Sequence, residues 1–170
     1  MRTSLPIKKL TLMAVLVCLG ITLQLFESYL PFFVDLPGGK LGLANIATLI
    51  VLYMYGLREA VTVAALRSII GALLFGGVVG MLYSVSGALL SMLVMYVAKR
   101  YFTRLSIVGV SVLGACAHSA AQVCVGAVIL SSVLFYTYLP PLMAVAAVCG
   151  IFTGLAAKAA VQYLEKVEKR

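Results

Sequence analysis

The chain has 170 residues, of which 64% are hydrophobic and 11% charged, with a mean hydropathy of +1.15. Soluble domains are about 45–50% apolar and about 25% charged, so this composition excludes an ordinary soluble domain and indicates an integral membrane protein. The 13 Lys and Arg residues against 5 Asp and Glu give a net charge of +8. In a hydrophobic chain such an excess indicates cytoplasmic loops rather than a nucleic-acid surface.

Apolar segments follow one another along the chain and predict an all-α bundle of six transmembrane helices in a single domain. A membrane helix needs about 20 residues, so six spans leave no room for a soluble catalytic domain. The first segment exceeds the apolar region of a signal peptide, which is about 7–15 residues long. The second and third are short, which predicts a tilted or partly buried hairpin. The predicted spans are residues 10–30, 41–55, 60–75, 78–97, 107–130 and 142–164.

Basic residues divide unequally between the two sides that six alternating spans define. Lys40 stands alone on the side away from the termini, and Arg67 falls inside the third span. The positive-inside rule therefore predicts that both termini are cytoplasmic. The eleven basic residues on the side of the termini are Arg2, Lys8, Lys9, Arg58, Lys99, Arg100, Arg104, Lys158, Lys166, Lys169 and Arg170.

Strongly polar side chains inside the spans are concentrated in one half of the membrane. With a rise of about 1.5 Å per residue, Arg67 lies roughly 13 Å from either end of its span. His118 lies roughly 16 Å from the cytoplasmic side, and Gln122 is one turn further along the same face. The others fall in the outer halves of their spans and are Gln24, Glu27, Asn45, Thr48, Ser84 and Ser86. This distribution predicts a polar pocket that opens outward and is closed toward the cytoplasm.

Each of these residues also has a structural interpretation. An arginine at the bilayer centre costs at least about 2.5–3.5 kcal/mol to insert, so Arg67 either binds a ligand or gates, or pairs with a helix carbonyl or Glu27. His118 and Gln122 are equally consistent with interhelical hydrogen bonds, which average about 0.6 kcal/mol. Glu27 is also consistent with a solvated position at the outer interface, and Asn45 with a helix cap.

Motifs for independent catalysis are missing. There is no GxxxxGK[ST] phosphate loop, and Asp35 is the only aspartate, so no acidic cluster for Mg²⁺ is expected. His118 has no neighbouring acid or cysteine for a catalytic triad. The four cysteines lack CxxC spacing and are interpreted as packing residues. We therefore expect no catalytic residue, no cofactor, no metal site and no enzyme activity of the chain alone.

Particular stretches carry a family resemblance. They are ESYLP at 27–31, PGGKLGLANIATL at 37–49, YGLREA at 55–60 followed by Arg67, LYSVSGALLSMLVMY at 82–96, and GVSVLGACAH at 109–118 with Gln122. In these stretches, of which KLGLAN is the most specific, the chain resembles the bacterial heptaprenyl diphosphate synthase component I family, also called Gx transporters. That family is similar in turn to the S components of energy-coupling factor (ECF) transporters. Those are six-helix proteins with cytoplasmic termini and an outer pocket capped by the first outer loop.

The resemblance implies two alternative functions in a bacterial cytoplasmic membrane. In the first, the chain is a substrate-capture subunit for a small anionic or zwitterionic solute, and separate transmembrane and ATPase subunits supply the energy. In the second, it is an accessory of a soluble heptaprenyl diphosphate synthase in isoprenoid-quinone synthesis. We prefer transport, because the inner loops are short and the polar residues lie outward. Carried over residue by residue, the candidate substrate-binding residues are Glu27, Lys40, Asn45, Arg67, His118 and Gln122.

Overall fold

The computed structural model describes residues 4–29 and 42–168, with side chains for 7–29 and 42–167. This part of the chain is entirely helical, as the composition and the apolar spacing predicted. The helices are α1 (Ser4–Tyr29), α2 (Asn45–Met54), α3 (Leu57–Phe75), α4 (Gly77–Tyr101), α5 (Ile107–Ile129) and α6 (Leu139–Glu168), with a 3-10 helix at Val133–Tyr138 before α6.

Four helical segments are long and apolar enough to cross a membrane, which supports the prediction of a membrane protein. They are Ile7–Tyr29, Gly77–Tyr101, Ile107–Ile129 and Val133–Val167. The other two helices are α2, which has only ten residues, and α3, which carries Arg67 in its interior. The helix starts differ most from the predicted spans at α1, which begins at Ser4 rather than at residue 10, and at α2, which begins at Asn45 rather than at residue 41.

Contacts near the helix ends show which ends lie together. Lys9 of α1 forms an ion pair with Glu59 in the first turn of α3. Lys99 in the last turn of α4 donates a hydrogen bond of 2.8 Å to the carbonyl of Leu52 near the end of α2. These termini share one end of the bundle, which we call the basic end. The distal end is the opposite one, where Gly76 joins α3 to α4.

Helix α2 is the central helix of the bundle. It packs against each of the other five α-helices, and residues 47–52 are at most 3% exposed. Ten residues extend about 15 Å, roughly half of a bilayer core of about 30 Å. Its sequence, NIATLIVLYM, is apolar on nearly every side, as expected for a helix that is surrounded by protein. The second apolar segment is therefore short because it is buried inside the bundle.

The interior separates into two layers along the bundle. The layer toward the basic end is apolar and includes Leu52, Val63, Met95, Val110 and Val161. The layer toward the distal end contains buried polar side chains, namely Gln24, Glu27, Asn45, Thr48, Arg67, Ser84, His118 and Gln122. This separation agrees with the uneven polar distribution seen along the predicted spans.

Helices α5 and α6 approach closely because glycines line their contact. A Cβ built at Gly150 would come within 2.7 Å of the Val112 Cα, and one at Gly154 within 2.7 Å of the Val108 Cα. Ser111 and Thr153 share a hydrogen bond of 2.9 Å across the same contact. Small residues at helical spacing allow such backbone contact in membrane bundles.

This packing predicts that Gly154→Ala destabilises the protein by about 1–3 kcal/mol, because the new methyl group overlaps the backbone of α5. Gly80→Ala is the matched control, since a Cβ there meets nothing within 4 Å. The control is expected to be neutral or to stabilise by up to about 1 kcal/mol, because alanine favours helix over glycine. Thermal unfolding in detergent, followed by circular dichroism, measures both. Equal melting temperatures for the two variants would contradict the proposed contact.

Candidate functional site

Arg67 lies at the centre of the polar layer and joins α3 to α2. Its side chain is 1% exposed. Its Nη2 donates a hydrogen bond of 2.7 Å to the Asn45 Oδ1, and its Nε donates one of 3.2 Å to the Thr48 Oγ1. The two acceptors lie one turn apart at the beginning of α2. The guanidinium therefore holds the first turn of the central helix.

Asn45 does not cap its helix. Ala44 occupies the N-cap position of α2, and no side chain there bonds to the helix backbone. The Asn45 side chain instead points to Arg67, and its Nδ2 has no hydrogen-bond partner in the described part of the chain. The cap interpretation was wrong because the sequence does not reveal that a buried cation lies beside this turn.

Glu27 is buried and holds the chain just before α2. The residue is 4% exposed, and its carboxylate accepts a hydrogen bond of 2.6 Å from the Gly42 N–H. Arg67 is the buried cation of the same polar layer, and the carboxylate is the described group of opposite charge in that layer. Gly42 has φ of +78°, a conformation that favours glycine. The solvated interpretation of Glu27 is thus wrong, because the beginning of α2 covers the end of α1.

The His118 imidazole lies between α4 and the segment that leads into α2. A Cβ at Gly87 would come within 2.7 Å of the His118 Cε1, and one at Gly42 within 3.3 Å of the ring. Gln122 lies one turn further along α5 and is 2% exposed. The structure therefore brings Glu27, Asn45, Arg67 and His118 together around Gly42, with Gln122 on the same face of α5 as His118. Lys40, the sixth candidate, lies outside the described residues.

Gln24 belongs to this site although it was not among the predicted binding residues. Its amide packs against Gly71, where a Cβ would come within 3.0 Å of the amide atoms. Both amide atoms are buried and have no hydrogen-bond partner among the described residues. The signal in the sequence is an equal spacing, since Gly20 and Gln24 are four residues apart on α1, as are Arg67 and Gly71 on α3. In the structure Gly20 faces Arg67, and Gln24 faces Gly71. Parallel packing of α1 against α3 produces this spacing.

We call the following residues the polar cluster: Gln24, Glu27, Asn45, Thr48, Arg67, His118 and Gln122. The polar cluster offers one cationic group, one anionic group, an imidazole, amides and a hydroxyl. Such a set recognises a polar molecule through hydrogen bonds. No group of three His, Cys, Asp or Glu residues suited to holding a metal occurs within the described ranges.

The geometry predicts that Arg67 and Glu27 depend on each other for stability. Arg67→Met removes the cation and leaves the Glu27 carboxylate buried without it, so we expect a loss of about 3–5 kcal/mol. Adding Glu27→Gln removes the uncompensated charge, and the double variant should be less destabilised than the sum of the two single variants, by about 0.5–3 kcal/mol. Melting temperatures in detergent measure this double-mutant cycle.

Arg58→Met is the control for this cycle, since Arg58 is an exposed arginine on the same helix. It should change stability by less than about 0.5 kcal/mol. Strict additivity of the Arg67 and Glu27 substitutions would rule out the electrostatic coupling.

Comparison with known proteins identifies the family. The model of the family described as heptaprenyl diphosphate synthase component I matches residues 16–160, which include all six candidate residues and every helix from the second half of α1 to most of α6. No curated protein matches the chain. No solved structure matches it either. The match covers most of the chain, so this protein belongs to the heptaprenyl diphosphate synthase component I family.

Proposed function

We propose that this protein is a membrane subunit that captures a small polar solute in the polar cluster. The observation that carries the proposal is the buried amide of Gln24, which has no partner among the described residues, together with the Asn45 Nδ2 beside Arg67, which has none there either. Buried polar groups are nearly always hydrogen-bonded, so donors and acceptors left over in one place indicate a bound molecule that completes them. A side-chain cluster that served only to hold helices together would bond within itself.

The charges of the polar cluster favour a solute without net charge. Arg67 and Glu27 are the oppositely charged pair among the described members, and both are buried. A full anion would leave one negative charge uncompensated in a low-dielectric interior, which is expensive. A zwitterion or a neutral molecule rich in amide or hydroxyl groups suits the cluster better. Of the two solute classes that the sequence suggested, this favours the zwitterion.

We further propose that the six helices form a bundle embedded in the membrane, with the short α2 inside it, and that the basic end is cytoplasmic. The proposal rests on the basic residues at that end and on the alternation of helix directions along the chain. In this orientation the polar cluster lies toward the outside and the apolar layer seals the cytoplasmic half. We propose that the chain works as an ECF S component does, with separate transmembrane and ATPase subunits as the energising partners.

The second candidate function is a membrane accessory of a heptaprenyl diphosphate synthase. The observation in its favour is the family description itself, which names the chain's family as one component of that synthase. Stimulation of prenyl elongation when the purified chain is added to a soluble prenyl diphosphate synthase would favour this function. A polar solute that binds without any effect on elongation would favour capture.

The capture proposal predicts that Gln24→Met abolishes solute binding and leaves the fold intact. Methionine has a similar volume, and replacing an unpartnered buried amide by an apolar group is neutral or stabilising in a protein without ligand. Binding is measured as the rise in melting temperature on adding each member of a panel of zwitterionic, uncharged and anionic solutes. We expect a zwitterionic or uncharged solute to stabilise the parent protein and an anionic one not to.

Ser91→Ala is the control for Gln24→Met. Ser91 is also buried and unpartnered among the described residues, but it lies one layer lower, beside Met95 and Gly114. It should retain the stabilisation by the solute. If Gln24→Met retains it as well, the polar cluster is not the binding site.

The orientation predicts which loops impermeant thiol reagents reach in intact cells. In a variant whose four native cysteines are replaced by alanine, a cysteine at Ser131, beyond α5, should be labelled from outside. A cysteine at Thr103, between α4 and α5, should be labelled only after the cells are opened. Both positions are exposed on the protein surface, so labelling depends only on the side of the membrane on which each position lies. Labelling of Thr103 but not Ser131 from outside would reverse the orientation.

A further inference from the structure

A second site lies at the basic end, far along α2 from the polar cluster. A cavity of about 250 Å³ is lined by Leu52, Gly56, Leu57, Tyr96, Lys99 and Arg100. It lies where α2 ends, α3 begins and α4 reaches its last turn. Pockets for whole drug-sized ligands are about 300–1,000 Å³, so this cavity suits a smaller group.

Two basic side chains in the cavity wall carry charges that no described carboxylate neutralises through an ion pair. The ion pair in the described part of the chain joins Lys9 to Glu59, and neither Lys99 nor Arg100 forms one there. Lys99 donates to the Leu52 carbonyl and lies 4.5 Å from the centre of the Tyr53 ring, which leaves its positive charge intact. Arg100 is exposed and bonds to no described residue.

The surroundings favour an amphiphilic ligand over a free ion. Leu93 and Val97 are 51% and 39% exposed on α4, and they lie two turns and one turn before Arg100 on the same side of the helix. An apolar chain packed along Leu93 and Val97 would therefore lead directly to the basic residues. The cavity wall also includes Gly56, the N-cap residue of α3, and a helix N-terminus favours negative charge.

We propose that the basic-end cavity binds the phosphate group of an anionic lipid, with Arg100 and Lys99 as its charged contacts and the lipid tail against α4. Arginine pairs with phosphate through two parallel hydrogen bonds, and lysine acts as a point charge. In the orientation proposed above, the cavity meets the cytoplasmic leaflet, where anionic lipids attract basic residues. The cavity shares no residue with the polar cluster, so a failure of the solute-capture proposal would leave the lipid proposal unaffected.

The test is a lipid titration of the purified full-length chain in detergent, followed by native mass spectrometry. Dioleoyl-phosphatidylglycerol should bind more tightly than dioleoyl-phosphatidylcholine, whose phosphate is neutralised by choline. Arg100→Gln should weaken phosphatidylglycerol binding about fivefold, since one basic residue near the surface is lost. Because Arg100 is exposed, this variant is expected to keep the melting temperature of the parent protein.

Arg104→Gln is the matched control, because it removes the same charge from the same end of the bundle without touching the cavity. It should weaken phosphatidylglycerol binding less than twofold. Equal weakening by both variants, or equal binding of the two lipids, would overturn the proposal.

Free diphosphate distinguishes the two sources of the phosphate group. Displacement of phosphatidylglycerol by millimolar sodium diphosphate would show that the cavity recognises the phosphate group by itself. Retention of the lipid would show that the tail is required as well, and both results agree with a phosphate site. Displacement that is the same in the parent and in Arg100→Gln would contradict it, because the ion would then act elsewhere.

Discussion

The burial of one guanidinium is the constraint on which the rest of the interior depends. Arg67 lies in the middle of α3, and a charge in that position requires compensation within the protein. Its acceptors, Asn45 and Thr48, are both in the first turn of α2, and Glu27 adds the opposite charge from α1. Glu27 in turn holds Gly42, where the backbone turns before α2 begins. The position of the first turn of the central helix is thus tied to the groups that surround one cation.

Large polar side chains fit into this bundle because each meets a glycine on a neighbouring element. Arg67 packs against Gly20 of α1, Gln24 against Gly71 of α3, and His118 against Gly87 of α4, as the short distances from a built Cβ show. A side chain at any of these glycines would occupy the volume of the polar group. Close approach through small residues is common in membrane bundles, where helix packing depends on van der Waals contact and hydrogen bonds rather than on the hydrophobic effect. In this bundle the glycines at the helix contacts also leave space for polar side chains.

Helix α2 separates two regions of different chemistry. Its first turn contributes amide and hydroxyl groups to the polar cluster, whereas its last turn contributes Leu52 to the cavity at the basic end. Between them, residues 49–52 are closely packed and apolar, so no polar path joins the two regions through this helix. Membership of the heptaprenyl diphosphate synthase component I family is compatible with a role for either region. A solute site and a lipid site on opposite ends of one short helix would respond to different molecules.

Composition and spacing by themselves determined the class of the protein, the number of its helices and the uneven distribution of polar residues, because hydrophobic length and charge are local properties of the sequence. They also singled out Arg67, since a charge inside an apolar segment is conspicuous. Only the tertiary structure decided its partners. For Asn45 a cap and for Glu27 a solvated position remained open alternatives to binding, because a linear sequence does not show which helices cover which turns. The sequence did not identify Gln24 as a site residue for the same reason, because its position beside Gly71 depends on how α1 packs against α3.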